Sequence, residues 1–320
     1  SGHPAPTGQL VSDRQRFRCD LMVQQALRWL KRRAAVIAEQ GWWLAFWLAG
    51  AVRRATRAVG PRVKPWSTPG GQRVLALAPH PDDEACGCGG ALLRHRAAGD
   101  AVTIVVVTDG RRSRSLGLSP DEMAARRRAE AAQAAAVLGV TVWHWLGLPE
   151  WEWEIEDLAP RLLAELETGQ PDVIYAPSRV DFHPEHWKVA HALAVALAQW
   201  PGTPRVRVMA LQVPLGSALT NLVSSTASVG EQHRAAIAAH ASQVYSTART
   251  QRMRRYTAVA CGLPGEAEAF WEMTAARYQR LHASAPSTWP IVFRSLRAGP
   301  WTDGLAYLWG RRARHTLSRD

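Results

Sequence analysis

The sequence contains little cysteine for its length. Its 320 residues include four cysteines at irregular spacing, which supports neither a disulfide framework nor a cysteine-rich zinc module. Structural disulfides are common in secreted proteins and rare in reducing compartments. We therefore expect a cytoplasmic protein, and the basic flanks described below add the hypothesis of peripheral contact with the inner face of the membrane.

The sequence also lacks the motifs of several ligand-binding classes. No Gly-x-Gly-x-x-Gly motif follows a predicted strand, so a dinucleotide cofactor is not indicated. The formal net charge is +12, which favours anionic partners, yet no helix-turn-helix, zinc-finger or aromatic RNA-binding signature accompanies it. We expect no nucleic-acid partner. Two explanations of the charge stay open: binding of membrane or substrate phosphate, or an arginine-rich surface that reflects genome composition.

The apolar run from Gly41 to Val52 is too short to cross a bilayer. As a helix it would span about 18 Å, against roughly 30 Å of hydrocarbon. Aromatic residues fill this run, and Arg32, Arg33, Arg53 and Arg54 bracket it. Such a composition is typical of a helix that lies in a membrane interface. It equally suits a helix that packs on a second helix or on a partner subunit, so both interpretations stay open.

Strand and helix patterns alternate from Arg73 onward, and near-continuous apolar runs predict strands covered on both faces. The fold class is therefore α/β, a Rossmann-like, mostly parallel sheet flanked by helices, with an N-terminal helical and a C-terminal amphipathic extension. The predicted strands are Val74–Ala78, Ala101–Thr108, Val140–Trp145, Asp172–Ala176 and Arg205–Val213, and the predicted helices are Cys86–Ala98, Pro120–Leu138, Ile155–Thr168, Glu185–Trp200 and Glu231–Gln243.

Changes in composition divide the chain into four parts. Residues 1–15 are polar, and we expect them to be disordered or foreign to the natural chain. Residues 16–68 are predicted to form a helical extension and a proline-containing linker. Residues 70–285 form the principal domain, and residues 286–320 form a basic, aromatic extension.

The first strand of this domain ends in a cluster of histidine and carboxylates. His80 and Asp83 lie three residues apart across a turn at Pro81, so an imidazole nitrogen and a carboxylate oxygen can meet at one ion, with Asp82 beside them. Ligands of open parallel sheets bind at the carboxyl ends of the strands. Catalytic zinc usually takes three protein ligands and a water, so the sequence has to supply another ligand.

A second cluster, Asp181-Phe-His-Pro-Glu-His-Trp187, follows the predicted strand Asp172–Ala176. Its two histidines, His183 and His186, are again three residues apart, which suits one metal ligand and one catalytic imidazole. Either cluster alone is a weak signal, because His-Pro turns are common at surfaces. Together, each placed after a strand, they predict a metal site.

These motifs resemble a known family. Ala78-Pro-His-Pro-Asp-Asp-Glu84, Cys88-Gly-Gly90 and Asp181-x-His-Pro-Glu-His186 are similar to the motifs of the PIG-L/LmbE-like zinc-dependent N-deacetylases. Weaker features agree in order along the chain, namely Thr108-Asp-Gly110, Arg127-x-x-Glu130, Leu146-Gly-Leu-Pro149 and His240-Ala-Ser-Gln243. The resemblance covers roughly residues 72–280 and makes residues 70–285 a deacetylase domain.

The resemblance implies a metal site and two catalytic groups. His80, Asp83 and His186 match the three metal ligands, with Zn2+ or another divalent ion as the cofactor. Asp82, next to a ligand, is expected to take the proton of the attacking water. His183 is expected to act as an imidazolium that stabilises the oxyanion and protonates the leaving nitrogen.

Five further residues are predicted to support these groups or to contact substrate. We expect Asp181 to orient an imidazole and Glu84 to cap the following helix or brace the metal loop. By the resemblance, Arg127, Glu150 and Asp109 are the candidates for substrate contact, although helix periodicity alone makes Arg127 a solvated residue. Two positions depart from the family pattern, since glutamate replaces the usual aspartate both at Glu150 and within the second metal motif.

The sequence thus predicts a zinc-dependent hydrolase that removes an N-acetyl or other N-acyl group from an acetylated amino sugar or glycoconjugate, with the sugar lipid-linked or phosphorylated. One alternative is a metallohydrolase that acts on a non-sugar amide. Another is a non-catalytic binding protein associated with membrane or nucleic acid. The sequence leaves the identity of the substrate and the oligomeric state open.

Overall fold

The computed structural model describes residues 64–283, except 182, 210, 212, 213 and 216–218, together with scattered positions between residues 30 and 55. Residues 1–15 and 286–320, which carry the predicted terminal segments, lie outside the described residues. The division of the chain into parts therefore stays a prediction. The described positions between residues 30 and 55 are helical, and we call them the N-terminal helical segment.

Strands and helices alternate through most of the described chain. The strands are β1 (Lys64–Pro65), β2 (Arg73–Ala78), β3 (Ala101–Thr108), β4 (Val142–Leu148), β5 (Val173–Ala176), β6 (Arg205–Met209), β7 (Leu222–Ser225) and β8 (Ala267–Thr274). The helices are α1 (Asp83–Ala97), α2 (Pro120–Val137), α3 (Ile155–Gly169), α4 (Pro184–Gln199), α5 (Gly230–Ala239), α6 (Val244–Cys261) and α7 (Ala275–His282).

The eight strands form one sheet in the order β1-β7-β8-β6-β5-β2-β3-β4. Strand β8 runs antiparallel to β6 and β7, and the other pairings are parallel. The predicted mostly parallel, Rossmann-like α/β sheet is confirmed. In such a sheet the β2 and β5 strands are central neighbours, so their carboxyl ends lie side by side.

Two hydrophobic clusters cover the two faces of the sheet. Leu75 and Leu77 of β2 belong to one cluster, whereas Val74, Ala76 and Ala78 belong to the other. Successive side chains of a strand point to opposite faces, and both faces of β2 are buried under helices. This double burial explains why the central strands are almost continuously apolar in sequence.

The sequence patterns predicted the antiparallel part of the sheet poorly. Strand β7 was not predicted. Strand β6 is described from Arg205 to Met209, and positions 210, 212 and 213 of the predicted strand Arg205–Val213 lie outside the described residues. Strand β8 was not predicted because Glu268 interrupts its apolar pattern. That carboxylate is buried and accepts hydrogen bonds from the backbone N–H groups of Gly90 and Ala91 at 2.9 and 2.7 Å. A polar side chain is therefore accommodated inside the domain at this position.

The N-terminal helical segment contacts the domain through the aromatic side chain of Trp43. The ring of Trp43 packs edge-on against Tyr256 of α6, with 6.5 Å between the centroids, and Trp43 borders one of the two hydrophobic clusters. Within the described part of the chain, no helix has both the length and the apolar character needed to cross a membrane.

Candidate active site

The two predicted clusters meet at the carboxyl edge of the sheet. Strands β2 and β5 are paired in parallel, with Ala76 opposite Tyr175. The loop after β2 carries the first cluster into the start of α1, and the loop after β5 carries the second into the start of α4. Because the strands are adjacent and end at the same edge, segments about a hundred residues apart in sequence form one site.

Three side-chain atoms converge at the centre of this site. His80 Nδ1 lies 3.1 Å from His186 Nε2 and 3.3 Å from Asp83 Oδ2, and His186 Nε2 lies 3.3 Å from the same Asp83 oxygen. A tetrahedral ion with ligands at about 2.0–2.1 Å separates its ligand atoms by about 3.3–3.4 Å. The spacing and the donor types therefore fit zinc or a similar divalent ion.

Buried carboxylates orient both imidazoles by contacting the ring nitrogens that face away from the centre of the site. His186 Nδ1 donates to Asp181 Oδ2 at 2.8 Å, and His80 Nε2 donates to Glu185 Oε2 at 2.7 Å. Since each imidazole gives its hydrogen to a carboxylate, its other nitrogen is left as a lone-pair donor toward the centre. Carboxylate partners of this kind fix the tautomer and the ring orientation of metal-binding histidines.

Charges in the cluster favour a cation at its centre. Burial opposes protonation of His186, but Asp83 and Asp181 outweigh burial and raise the pKa of His186 to about 9. Burial also opposes ionisation of Asp83, yet His186 and His80 hold the pKa of that carboxyl well below its usual range. Without an ion, the carboxylates retain protons on the imidazoles. A divalent cation supplies the same positive charge.

Asp82 lies beside the three atoms in a strained backbone conformation. Its φ of 144° is rare for a residue other than glycine, and such strain often marks a functional position. Arg127 of α2 donates to Asp82 Oδ1 at 3.0 Å and to the Pro81 carbonyl at 2.7 Å. Burial raises the pKa of Asp82 despite the opposing effect of Arg127, so this carboxylate accepts a proton more readily than an exposed aspartate.

Arg127 is buried rather than solvated, so the interpretation from helix periodicity alone was wrong for this residue. Its Nη1 donates to the Gly110 carbonyl at 3.3 Å, and Arg127 is one of the residues that line the cavity. It both fixes Asp82 and faces the space where substrate would lie.

His183 occupies the position just before α4 and faces the same centre. Its ring lies 4.6 Å from that of His80, 4.8 Å from that of His186 and 5.4 Å from that of Trp151, measured between centroids. Burial and the neighbouring His80 and His186 lower the pKa of His183 well below its usual range. This shift favours a neutral imidazole in the metal-free site.

The structure separates the two acidic residues predicted to contact substrate. Glu150 borders the cavity and accepts the Arg112 backbone N–H at 2.8 Å. Asp109 is buried behind it, where it accepts from Arg111 Nε at 2.6 Å and from the Glu150 backbone N–H at 3.2 Å. Among the described residues, Asp109 does not line the cavity, and its geometry is that of a residue holding Glu150 in place.

Glu84 links the metal loop to a late part of the chain. One of its carboxylate oxygens accepts the Asp82 backbone N–H at 3.2 Å, and the other lies 3.1 Å from His240 Nε2. Glu84 thus braces the loop, and the late His240 motif acts as its anchor.

The cavity in front of these groups has a volume of about 220 Å³. Sequence reasoning missed several of its walls because they come from loops and from α6, far from either motif. These additional lining residues are Arg112, Ser113, Leu211, Gln243, Arg249 and Thr250, whereas Cys86, which also lines the cavity, lies in α1 next to the first motif. Three arginines, Arg112, Arg127 and Arg249, line the cavity together with three carboxylates, those of Asp82, Asp83 and Glu150.

Glu185 is the main residue of the site whose role the sequence did not reveal. Its second oxygen accepts the backbone N–H of Trp151 at 2.8 Å and the indole N–H of Trp153 at 2.9 Å. One buried carboxylate therefore connects His80 with the loop that carries Trp151. The sequence feature that could have indicated this role is the glutamate in the second motif, whose side chain is one methylene longer than that of the usual aspartate.

The family comparison agrees with this geometry. Residues 75–198 match the profile of a family described as PIG-L: GlcNAc-PI de-N-acetylase. This segment is similar to the PIG-L domain. The matched residues span the strands β2 to β5 and the helix α4, and they include both clusters of the site.

Two curated relatives of the chain are named as deacetylases of acetylated sugars. It is 28% identical over 138 residues to a diacetylchitobiose deacetylase of Thermococcus kodakarensis, covering 42% of this chain and 51% of that one. It is 29% identical over 165 residues to a 1D-myo-inositol 2-acetamido-2-deoxy-alpha-D-glucopyranoside deacetylase of Streptomyces avermitilis, covering 42% and 56%. The chain thus spans about half the length of these relatives.

A solved structure shows the same fold. N,N'-diacetylchitobiose deacetylase from Pyrococcus horikoshii aligns with a TM-score of 0.57 at 23% identity, over 65% of this chain and 85% of that one. At this identity the likeness establishes the fold alone, since one fold hosts many activities.

Proposed function

We propose that this chain is a metal-dependent hydrolase that removes the acetyl group from an N-acetylated amino sugar. The observation that carries the proposal is the triangle of His80, Asp83 and His186 atoms with the Asp82 carboxylate beside it, all at one cavity. The names of the two curated relatives support an acetylated amino sugar as the substrate class.

His80, Asp83 and His186 are the residues that would hold the ion. When bound, a divalent ion polarises the acyl carbonyl and lowers the pKa of water toward about 7. The contacts to Asp181 and Glu185 keep both imidazole lone pairs directed at the ion. Each ligand is thereby held in position before substrate arrives.

Asp82 is the residue that accepts the proton of the attacking water. Arg127 fixes the direction of its carboxylate, and the strained backbone turns it toward the cavity. A base held in this way contributes about 10²–10⁴ in rate.

His183 faces the reacting carbonyl from the other side of the site. We assign it the hydrogen bond to the developing oxyanion and the delivery of a proton to the leaving nitrogen. The neutral form favoured in the metal-free site can donate a hydrogen bond from one ring nitrogen. The proton that His183 gives to the leaving nitrogen is replaced by the one that Asp82 took from the attacking water, so the step needs no outside acid.

The sugar is bound by the side of the cavity that carries Glu150 and Trp151. Glu150 presents a carboxylate to sugar hydroxyls, Asp109 holds Glu150, and the half-exposed ring of Trp151 suits stacking on a sugar face. Arg112 and Arg249 at the cavity are the candidates to contact a phosphate on the sugar, either a free ester or the link to a lipid.

The decisive experiment measures divalent metal content together with acetate release from a panel of N-acetylated sugars, free, nucleotide-linked and lipid-linked. We expect about one ion per chain and acetate release that is greatest for a phosphate-bearing sugar. Metal without acetate release from any sugar, but with release from simple N-acetyl amino acids, would favour the non-sugar amide hydrolase. Absence of both metal and turnover would favour a binding protein.

A further inference from the structure

The N-terminal helical segment has two unlike faces. Trp43 packs against Tyr256 of α6 and is partly buried. In contrast, Leu30, Ile37, Leu44 and Leu48 are 54%, 72%, 58% and 50% exposed. A folded soluble surface seldom displays several large aliphatic side chains together without a binding role.

These exposed residues form one stripe. At 3.6 residues per turn, Leu30, Ile37, Leu44 and Leu48 fall within an arc of about 40°. Trp43 lies about 120° around the helix from the middle of that arc. The same segment can therefore attach to the domain through one side and bind something apolar through another.

The charges at the two ends of the stripe restrict what that partner can be. Between residues 28 and 57 the sequence contains seven Lys or Arg residues and one Glu. The basic residues group as Lys31, Arg32 and Arg33 before the run and as Arg53, Arg54 and Arg57 after it. The partner therefore has to be apolar along its middle and anionic around it.

Two copies of this chain, or its own C-terminal segment, do not meet that requirement. A stripe-to-stripe pairing of two copies, parallel or antiparallel, sets one basic group against another. The C-terminal sequence is also basic, with Arg311, Arg312 and Arg314. An anionic lipid surface offers both components, since acyl chains accept the leucine side chains and headgroups attract the arginines.

We propose that the stripe of Leu30, Ile37, Leu44 and Leu48 docks in the plane of an anionic lipid surface while Trp43 holds the segment on α6. Helix α6 also carries Arg249 and Thr250 of the catalytic cavity. The docked segment is thus attached to an element of the active site.

The test is sedimentation of the full chain with vesicles of phosphatidylcholine alone or with about one-third phosphatidylglycerol. We expect binding to the anionic vesicles and little to the neutral ones. Raising the salt from about 0.1 M to about 1 M shortens the Debye length from about 10 Å to about 3 Å and should release the protein. The triple variant Ile37→Ser, Leu44→Ser, Leu48→Ser should bind at least about tenfold more weakly.

The matched control changes three exposed apolar residues elsewhere, Leu116→Ser, Leu118→Ser and Val142→Ser, which are 52%, 39% and 45% exposed. This control should bind vesicles as the parent does. Thermal melts of both triple variants verify that they fold.

Several outcomes would overturn the proposal. One is a parent that ignores anionic vesicles at about 0.1 M salt; another is equal binding by the two triple variants. A parent dimer that becomes monomeric only in the stripe variant, without vesicle binding, would assign the stripe to a second copy. The vesicle assay needs no turnover, so its result is independent of the proposed deacetylase activity.

Discussion

One buried histidine–aspartate pair lies beside the amino end of helix α1 and another lies at its carboxyl end, and the two pairs behave in opposite ways. At the amino end, His186 Nδ1 meets Asp181 at 2.8 Å, and its pKa is raised to about 9. At the carboxyl end, His95 Nδ1 meets Asp100 at 2.5 Å, yet its pKa is lowered to about 4. The same pair of residue types therefore does not by itself set the charge.

The difference lies in what the second nitrogen of each imidazole meets. His95 Nε2 lies 3.0 Å from the hydroxyl of Tyr175 and 3.3 Å from Arg207 Nη1. Burial is the main cause of its low pKa, and Arg207 adds to the shift. His186 Nε2 instead faces Asp83 and His80 beside an open cavity. A pair closed off by protein partners stabilises the fold, whereas a pair with converging lone pairs can bind an ion.

The largest effect should come from removing a metal ligand. His186→Ala should reduce bound metal from about one ion per chain to nearly none and abolish acetate release, because two protein ligands rarely hold zinc. His95→Asn is the matched control and should keep the ion. Metal analysis of both purified variants gives the answer, and equal metal content in the two would reject the site.

The next largest effect should come from replacing the proposed general base, Asp82. Asp82→Asn should retain the ion and lower the turnover number by about 10²–10⁴. The measurement is acetate release by enzyme whose metal content has been verified. Near-normal turnover would mean that another group takes the proton, and Asp82 would then be only a structural residue of the loop.

Glu185→Gln should weaken metal binding and leave the general base Asp82 in place. Loss of a carboxylate partner typically weakens metal binding by about 10- to 100-fold. Competition with a chelator measures this affinity without any turnover. Glu165→Gln is the control, since Glu165 contacts His144 at 2.8 Å outside the site and should leave metal affinity unchanged. Equal affinity in the two variants would remove Glu185 from the metal site.

The smallest effect concerns His95 and pH. A histidine whose folded-state pKa is lowered from 6.5 to about 4 contributes stability that is present above its unfolded pKa. That stability is lost as the pH falls from about 6.5 to about 4, because the unfolded chain binds the proton more readily. In His95→Asn, we expect the free energy of unfolding to fall by about 1–2 kcal/mol less than in the parent over this pH range. Urea unfolding of both proteins across this range would measure it, and parallel curves would contradict the explanation.

Much of the site could be predicted because its ligands lie close together in two short segments. His80 and Asp83 share one turn, and His183 and His186 share another. Each turn follows an apolar strand that is recognisable from a few neighbouring residues. Parallel strands end at one edge of the sheet, so the meeting of the two turns followed from the order of elements.

Contacts between distant segments could not be predicted in this way. Helix periodicity placed Arg127 in solvent, and nothing local shows that Asp82 lies beneath it. Glu185 could be seen to alter a motif, but its bridge from His80 to Trp153 depends on the packing of α4 against the loop after β4. Strand β8 escaped detection because its buried Glu268 is satisfied by the backbone of α1.

The order of the parallel strands β2 to β6 with the helices between them, and the position of each metal motif just after a strand, could therefore be predicted from the sequence, since both depend on short-range periodicity. The partner of each buried polar group, and with it the charge of His95 or His186, depends on which distant side chains the packed fold brings within hydrogen-bonding distance. Burial makes those partners matter, because a low-dielectric interior amplifies each neighbouring charge.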